Sequence, residues 1–557
     1  MVHYRYSSPT TPKTHVVPAY RSPNSDDSTS ASSSSLVNEY SWLLAPPQPQ
    51  PSSLSKPSTF PASLHLSTPP DPLSIVVDGS CSGHPLPYND SDRKSRLLQC
   101  GREVKHLVRT VAPLVSGGIL QGLMPLIEVM TLGHLGKSQV AGMGLAHILI
   151  VFTGYPLLFG MVGALETLGS QAFTGGERPY LTGIYLQRAL LIGSLGFGLI
   201  LPLWFNSGRL LTAFLHSASD NLIVLEYASS YLRWYFPGFY CLYILSCSKQ
   251  FLYAQGITFP VPFIKLAGCI VSAAAQWLLV INPSTSVGFV GVPLAMGVAN
   301  VCMLALVWLY VFRINGSQCW GGWDLSLALC NWRQVLRLAI PGGLMTLGSS
   351  GANELVSVGA ARLHTAELAA QAVLSSFLRI SVIPNSCIGI VAANRMGNLL
   401  GSKSHDRARI TVLATTFLAG CIALIGFLGL TAFSWVFAGL PDDDSNSTFI
   451  TAAPYFSLVA FTSVCETFST SMSGLLRGQG RQALAASVKL IAFYVVAAPI
   501  GYIMCFKCQL GLGGLWTGLI FGHGITAMVE GLCIALTNWD QEIAKCQRRV
   551  GRDTLVH

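Results

Sequence analysis

Long apolar segments alternate with short polar connectors along the chain from about residue 107 onward. Each segment has about twenty or more residues, which is the length that a helix needs to cross the hydrocarbon core of a bilayer. The pattern predicts an all-α membrane protein with twelve transmembrane helices, near residues 107–131, 139–172, 183–204, 222–252, 259–281, 289–312, 333–360, 367–393, 408–438, 450–475, 483–506 and 511–537.

Composition supports this interpretation. Charged residues make up 11% of the chain and apolar residues 51%, whereas soluble domains contain about 25% charged residues. Such a chain cannot cover itself with polar surface, so lipid is its expected solvent. The N-terminal region is instead rich in Ser and Pro, which is typical of disorder. We therefore divide the chain into a disordered Ser/Pro-rich tail (1–104), an N-lobe with helices 1–6 (105–320), a C-lobe with helices 7–12 (321–540) and a short basic tail (541–557).

The distribution of Lys and Arg among the connectors indicates the orientation in the membrane. Alternate connectors carry most of these residues, and basic connectors face the cytosol. Both termini are therefore expected in the cytosol. The loop "PDDDSNSTF" is then exoplasmic, and Asn446 in its N-x-S/T site is a predicted glycosylation position. The net charge of +9 suits an anionic membrane face, and we expect no nucleic-acid partner.

The two halves of the chain resemble each other. Glu128 precedes Gly175 by the same distance as Glu354 precedes Gly401, and "YLRWYFPGFYCLYILSCSKQFLYAQG" aligns with "YFSLVAFTSVCETFSTSMSGLLRGQG". Because each repeat has an even number of spans, both enter the membrane from the same side. The lobes should be related by a pseudo-two-fold axis along the membrane normal, with substrate held between them.

Acidic residues inside the predicted spans are the first candidates for function, since a charge at the bilayer centre costs from roughly 3 to above 10 kcal/mol. Glu128, Glu354 and Glu466 lie within spans and are predicted to bind protons and substrate. Glu166 and Glu530 lie nearer helix ends, where pairing with a buried Lys, Arg or backbone amide is the favoured interpretation, and Glu166 remains a secondary candidate.

Other polar residues carry weaker signals. His147 lies inside a span, where hydrogen-bonded packing is favoured over a proton relay, and Gln255 is a secondary candidate because it matches Gln479 in the repeat. The run Gly136-Lys137-Ser138 resembles the end of a phosphate-binding loop, but Thr131 stands where that motif needs its first glycine. The sequence contains no H-E-x-x-H or similar metal-ligand spacing, so no metal and no cofactor are expected.

Six motifs occur in the same order as in a known family: "GHLGKSQVAGMGLA", "GALETLGSQAF", the block beginning "CWGGWDLSLALCNWRQ", "VAANRMGNLLGS", "CETFSTSMSGLLRGQGRQ" and "LGLGGLWTGLIFGH". Together they resemble the multidrug and toxic compound extrusion (MATE) family, over roughly residues 105–545. The tryptophan-rich block is closer to animal and fungal members than to bacterial ones.

The resemblance implies a twelve-helix secondary antiporter built from two six-helix lobes. The family's acids of spans 7 and 10 fall on Glu354 and Glu466, and the span-1 acid of many bacterial members falls on Glu128. Two departures stand out. Ser376 replaces a further Glu of animal members, and Gly351-Ala352-Asn353 replaces the usual aromatic pair before the span-7 acid.

The expected function is export of organic cations, drugs or metabolites in exchange for protons, with sodium as the less favoured coupling ion. The protein is expected to work as a monomer in the plasma membrane or a vacuolar or endosomal membrane, and not as an enzyme. Two alternatives stay open. One is a flippase for lipids or lipid-linked substrates of the same superfamily, which should have a basic central cavity, and the acids within the spans argue against it. The other, less favoured, is a multi-span membrane enzyme.

Overall fold

The computed structural model describes residues 90–557 except 177–178, 215–221, 440–446 and 555–557. Asn446 lies outside the described residues. Twelve long helical segments follow one another in the described part, and we call them spans 1–12: Asp90–Leu135, Lys137–Gly175, Leu181–Phe205, Leu222–Ala254, Val261–Ile281, Gly291–Arg313, Trp332–Ala360, Thr365–Gly401, His405–Ala438, Phe456–Gln479, Gln482–Lys507 and Leu512–Ala535.

Ten of these spans are long and apolar enough to cross a membrane. Spans 4 and 7 are not apolar enough to meet the same criterion, because polar and charged side chains interrupt them. Span 4, for example, contains Glu226, Arg233 and Lys249. Charged residues in such helices face protein or a water-filled cavity rather than lipid. The predicted all-α, twelve-span fold is confirmed.

The short connectors place alternate helix ends on opposite sides of the bundle. We call the side that holds the start of span 1 and the connectors after spans 2, 4, 6, 8, 10 and 12 the basic end, and the other side the opposite end. The spans of each lobe pack around a core of buried apolar side chains. A smaller apolar cluster joins the lobes, because Leu107 and Val111 of span 1 pack against Val391 of span 8 and Ala414 of span 9.

The basic ends of the two lobes lie in direct contact. A Cβ at Gly175 would lie 2.9 Å from the Cα of Gly401, so only glycine permits this approach of spans 2 and 8. These two residues occupy equivalent places in the repeat. Nearby, Gln171 donates a hydrogen bond to the carbonyl of Gly478 (2.9 Å), and Asn398 donates one to the carbonyl of Ala254 (3.4 Å). Contacts between equivalent positions are what a two-fold axis between the lobes produces.

The chain beyond span 12 forms a further helix, Trp539–Thr554, which we call the C-terminal helix. Trp539, Cys546 and Val550 are buried and recur at the spacing of one helix face. All but the first two residues of this helix lie in the predicted short basic tail, residues 541–557. Span 1 begins at Asp90, upstream of the expected lobe boundary at residue 105.

Candidate functional site

Glu128 lies inside the N-lobe, late in span 1. Its side chain is 5% exposed, and one carboxylate oxygen accepts a 2.5 Å hydrogen bond from the hydroxyl of Tyr231 in span 4. Tyr235 follows Tyr231 one turn later, with 5.3 Å between the ring centroids. No Lys or Arg forms an ion pair with Glu128 among the described residues. The carboxyl therefore lies beside tyrosine side chains and has no cationic partner among the described residues.

Glu354 lies in span 7 on the side of the C-lobe that faces span 2, and it is half-buried. Tyr155 of span 2 is within electrostatic range of both Glu354 and Glu128. Tyr155 is therefore near both predicted acids, Glu128 in the N-lobe and Glu354 in the C-lobe. Arg379 of span 8 is within electrostatic range of Glu354, although no ion pair within 4.0 Å joins the two in the described structure.

A local irregularity in span 2 positions the aromatic side of this region. Pro156 has no N–H to continue the helical ladder, and the preceding turn, Ile150–Gly154, widens into a π-helix, a feature often found at functional sites. His147 and Tyr155 flank this turn, and their rings meet edge to face at 5.9 Å. His147 is exposed and lies within electrostatic range of Arg379 in the other lobe. The predicted secondary candidate His147 thus lies beside Tyr155 and within electrostatic range of Arg379.

Aromatic side chains from other spans pack beside the small residues that precede Glu354. A Cβ at Gly351 would overlap the hydroxyl of Tyr494 and would lie 3.3 Å from the ring of Phe152. Tyr494 also donates a 2.8 Å hydrogen bond to the carbonyl of Leu347. Aromatic rings from spans 2 and 11 therefore occupy the space next to span 7, where the resemblance leads one to expect aromatic residues of span 7 itself.

Glu466 belongs to a separate polar cluster inside the C-lobe. It is 6% exposed, and its Oε2 has no hydrogen-bond partner among the described residues. Lys489 of span 11 is within electrostatic range of both Glu466 and Glu530. Glu530 is fully buried and accepts a 2.7 Å hydrogen bond from Ser473, while the ring of His523 packs on Phe493. Glu128 and Glu354 thus lie in different lobes on either side of Tyr155, whereas Glu466 belongs to a separate cluster within the C-lobe.

Glu166 and Gln255 lie toward the basic end. Glu166 of span 2 forms a 2.7 Å ion pair with Arg477 of span 10, with 5% and 16% of the side chains exposed, so the pair joins the two lobes. A second interlobe pair connects Glu103 of span 1 with Arg395 of span 8 through two hydrogen bonds. Gln255 lies in the turn just after span 4, and among the described contacts its side chain donates only to the carbonyl of Phe251 in that span.

Arg379 is the functional candidate that the sequence analysis missed. It interrupts the apolar run "SSFLRISV" in the middle of span 8, and it is exposed. A cation inside a membrane span is as costly as an acid and needs a reason of the same kind, so the sequence already carried this signal. Tyr155 and Tyr231 carry no such signal, because tyrosine is common in membrane helices and only the fold shows which acid it faces.

The described residues contain no group of three or more His, Cys, Asp or Glu side chains that could hold a metal ion. Their acids lie instead beside tyrosines, serines and single basic groups. This donor set suits the binding and release of protons or organic cations.

Comparison with solved structures shows the same architecture. The eukaryotic MATE transporter AtDTX14 superposes with a TM-score of 0.74 at 23% sequence identity, covering 81% of this chain and 100% of that chain. A MATE transporter of Vibrio cholerae, VcmN, gives a TM-score of 0.70 at 17% identity, over 79% of this chain and 99% of the other.

Sequence comparison identifies relatives in fungi and animals. A transporter of Schizosaccharomyces pombe described as uncharacterized is 33% identical, over 80% of this chain and 82% of its own length. The mouse multidrug and toxin extrusion protein 2 is 29% identical, over 81% of this chain and 77% of its own length. The MatE family description matches residues 113–278 and again residues 341–503, once in each lobe. The chain therefore belongs to the MatE family of membrane transporters.

Proposed function

We propose that this protein exports organic cations in exchange for protons by alternating access. The observation that carries the proposal is the carboxyl of Glu128, which is buried and accepts a hydrogen bond from Tyr231 but has no cationic partner among the described residues. Tyr155 lies within electrostatic range of this acid and of Glu354 in the other lobe. A carboxyl group held in this way can take a proton or a cation. The name of the mouse relative, a multidrug and toxin extrusion protein, supports the same substrate class.

Exchange follows if the proton and the cation compete. A protonated carboxyl has lost the charge that attracts an organic cation, so proton binding releases the cation and proton loss restores the site. Alternating access requires that the lobes open on one side at a time. The contacts between spans 2, 4, 8 and 10 close the basic end, and they must part once in each cycle.

Purified protein in liposomes tests the coupling. With a fluorescent organic cation present, an imposed pH gradient should drive uptake, and dissipating that gradient with a protonophore should stop it. A sodium gradient at equal pH on both sides should drive none, with potassium replacing sodium as the control. Uptake that follows the sodium gradient and ignores the pH gradient would contradict proton coupling.

A variant of Arg379 distinguishes cation export from the flippase alternative. Arg379 competes with a substrate cation for Glu354, so Arg379→Gln should lower the KM for an organic cation. We expect a change of up to about fivefold, because exposed charge pairs contribute up to about 1 kcal/mol. A flippase for an anionic lipid would need this cation, and the same variant would then lose transport. Initial uptake rates over a range of cation concentrations, and lipid scrambling in the same liposomes, give the two readouts.

The orientation in the membrane is part of the proposal: the basic end faces the cytosol, with both termini on that side. Asn446 should then carry a glycan in cells, whereas Asn315, which is exposed at the basic end in "NGS", should not. Glycan mapping of Asn446→Gln and Asn315→Gln variants provides the measurement. Modification of Asn315 but not Asn446 would reverse the topology.

A further inference from the structure

A large basic cavity lies at the basic end, and neither Glu128 nor Glu354 is among its lining residues. It has a volume of about 730 Å³, within the range of about 300–1,000 Å³ found for small-molecule sites. The start of span 7, the corner between spans 10 and 11, and the C-terminal helix form its walls. Six of its lining residues are basic: Arg333, Arg337, Arg481, Lys545, Arg548 and Arg549.

The described carboxylates leave most of the positive charge of this cavity without an ion-pair partner. Glu542 is the only acid in its lining, and it already pairs with Lys545 at 2.7 Å. Arg549 donates to the oxygen of the Gln171 side chain and to the carbonyl of Gln479, which are neutral acceptors. Arg481 likewise donates to the hydroxyl of Thr537. Within the described structure, five guanidinium groups thus line one cavity without an ion pair to a carboxylate.

Three of these groups are free to bind a ligand. Arg333, Arg337 and Arg548 are exposed, and no ion pair holds any of them in the part of the chain that the structure describes. Guanidinium groups bind phosphate oxygens through paired, charge-assisted hydrogen bonds. Several such groups around one space favour a ligand with more than one phosphate, since a single charge would leave most of them unneutralised.

An apolar groove continues from the cavity along span 7. Arg333 and Arg337 also line this second space, of about 590 Å³, together with Leu336, Ile340 and Pro341. Ile340 is 61% exposed and lies one turn further into the span than Arg337. Cations at the membrane surface followed by an apolar face toward the bilayer match a phosphate headgroup followed by an acyl chain.

We propose that this cavity binds an anionic phospholipid whose headgroup carries more than one phosphate, with its acyl chain along span 7. Lipid binding is also expected to affect the movement of the two lobes relative to each other. Arg549 bonds to span 2 of the N-lobe and to span 10 of the C-lobe, and Gln547 of the same helix donates to the carbonyl of Gly401 in span 8. A headgroup held between span 7 and the C-terminal helix therefore contacts the helix that joins both lobes.

Direct binding tests the site. Full-length protein in neutral detergent is titrated with a fluorescent short-chain phosphatidylinositol bisphosphate, in parallel for wild type and the triple variant Arg333→Gln, Arg337→Gln, Arg548→Gln. Each basic residue contributes roughly fivefold to binding at an anionic surface, so the triple variant should bind about a hundredfold more weakly. The single variant Arg337→Gln should lose about fivefold. Equal affinity of all three proteins would overturn the proposal.

A matched variant controls for general surface charge. Lys403, Arg407 and Arg409 are exposed at the same end but lie outside the cavity. Their triple change to Gln removes the same charge and should alter affinity less than twofold. A loss as large as that of the cavity variant would assign the binding to nonspecific attraction. Melting temperatures without lipid verify that each variant is folded; if the cavity triple variant is not folded, Arg337→Gln decides.

Competing ligands identify the chemistry. Phosphatidylserine should displace the probe far less well than phosphatidylinositol bisphosphate, and phosphatidylcholine should not displace it. Inositol trisphosphate lacks the acyl chains and should compete weakly; if it competes as well as the lipid, the site binds a soluble polyanion and the lipid proposal is wrong. Lipid should slow hydrogen exchange in residues 539–554 of wild type but not of the cavity variant, and unchanged exchange in wild type would contradict contact with the C-terminal helix.

Discussion

Glu354→Gln is expected to reduce proton-driven cation exchange to background while leaving the protein folded in the membrane. Glutamine keeps the shape and hydrogen-bonding capacity of the side chain but cannot ionise. Glu354 is only half-buried and forms no ion pair within 4.0 Å among the described residues, so the change leaves no buried charge without its partner. Uptake per folded transporter, with an imposed pH gradient, is the measurement. Normal uptake would make the carboxyl structural.

Glu128→Gln should have a different effect from Glu354→Gln. Comparing the two variants separates proton binding from binding of the organic cation. Glu128 is 5% exposed and bonds to Tyr231, so it is placed to bind a proton more than to contact a bulky cation. The variant should weaken the dependence of transport on external pH more than it raises the KM for the cation. Tyr231→Phe, which removes the hydrogen bond and keeps the carboxyl, should shift the pH profile without flattening it. An unshifted profile in Glu128→Gln would remove this residue from the mechanism.

The spans could be predicted well from the sequence because a bilayer restricts which segments can cross it. A helix must be long and apolar to cross, and the predicted span at 222–252 differs from Leu222–Ala254 by two residues at one end only. The similarity of the two halves could also be recognised in the sequence. Gly175 and Gly401 have equal spacing from an acid in the sequence, and they meet at the basic end in the structure.

Which acids meet could not be predicted, because that depends on contacts between distant parts of the chain. Glu166 and Arg477 are 311 residues apart. Arg477 precedes the polar connector after span 10 in the sequence, and in the structure it lies in the last turn of that span and forms an ion pair with span 2. The repeat gave no help, since the positions that match this pair, Ala392 and Tyr253, carry no charge. Periodicity locates a residue on a helix, but partner choice follows from the packing of whole lobes.

Arg477→Gln should open the basic end. The change leaves the buried carboxyl of Glu166 without its cation, and breaking a buried pair in this way costs about 3–5 kcal/mol. The cost applies only while the lobes are closed, because water reaches Glu166 when they part. The equilibrium between closed and open forms should therefore shift by more than about a hundredfold toward the open form. Hydrogen exchange in residues 163–175 and 474–482 should become faster, and exchange of substrate should slow because one of the two required states is depleted.

The double variant Glu166→Gln, Arg477→Gln separates the ion pair from the rest of the interface. Two amides can hydrogen-bond to each other without an uncompensated charge, and replacing both partners of a buried pair is often nearly neutral. The double variant should therefore restore much of the slow exchange that the single variant lost, which is the signature of direct coupling in a double-mutant cycle. Lys545→Gln is the matched control, since its pair with Glu542 lies within one helix and is partly exposed, and it should leave exchange at residues 163–175 unchanged. If the double variant exchanges as fast as Arg477→Gln, then the guanidinium group closes the basic end through its contacts other than Glu166, and the ion pair is not what holds the lobes together.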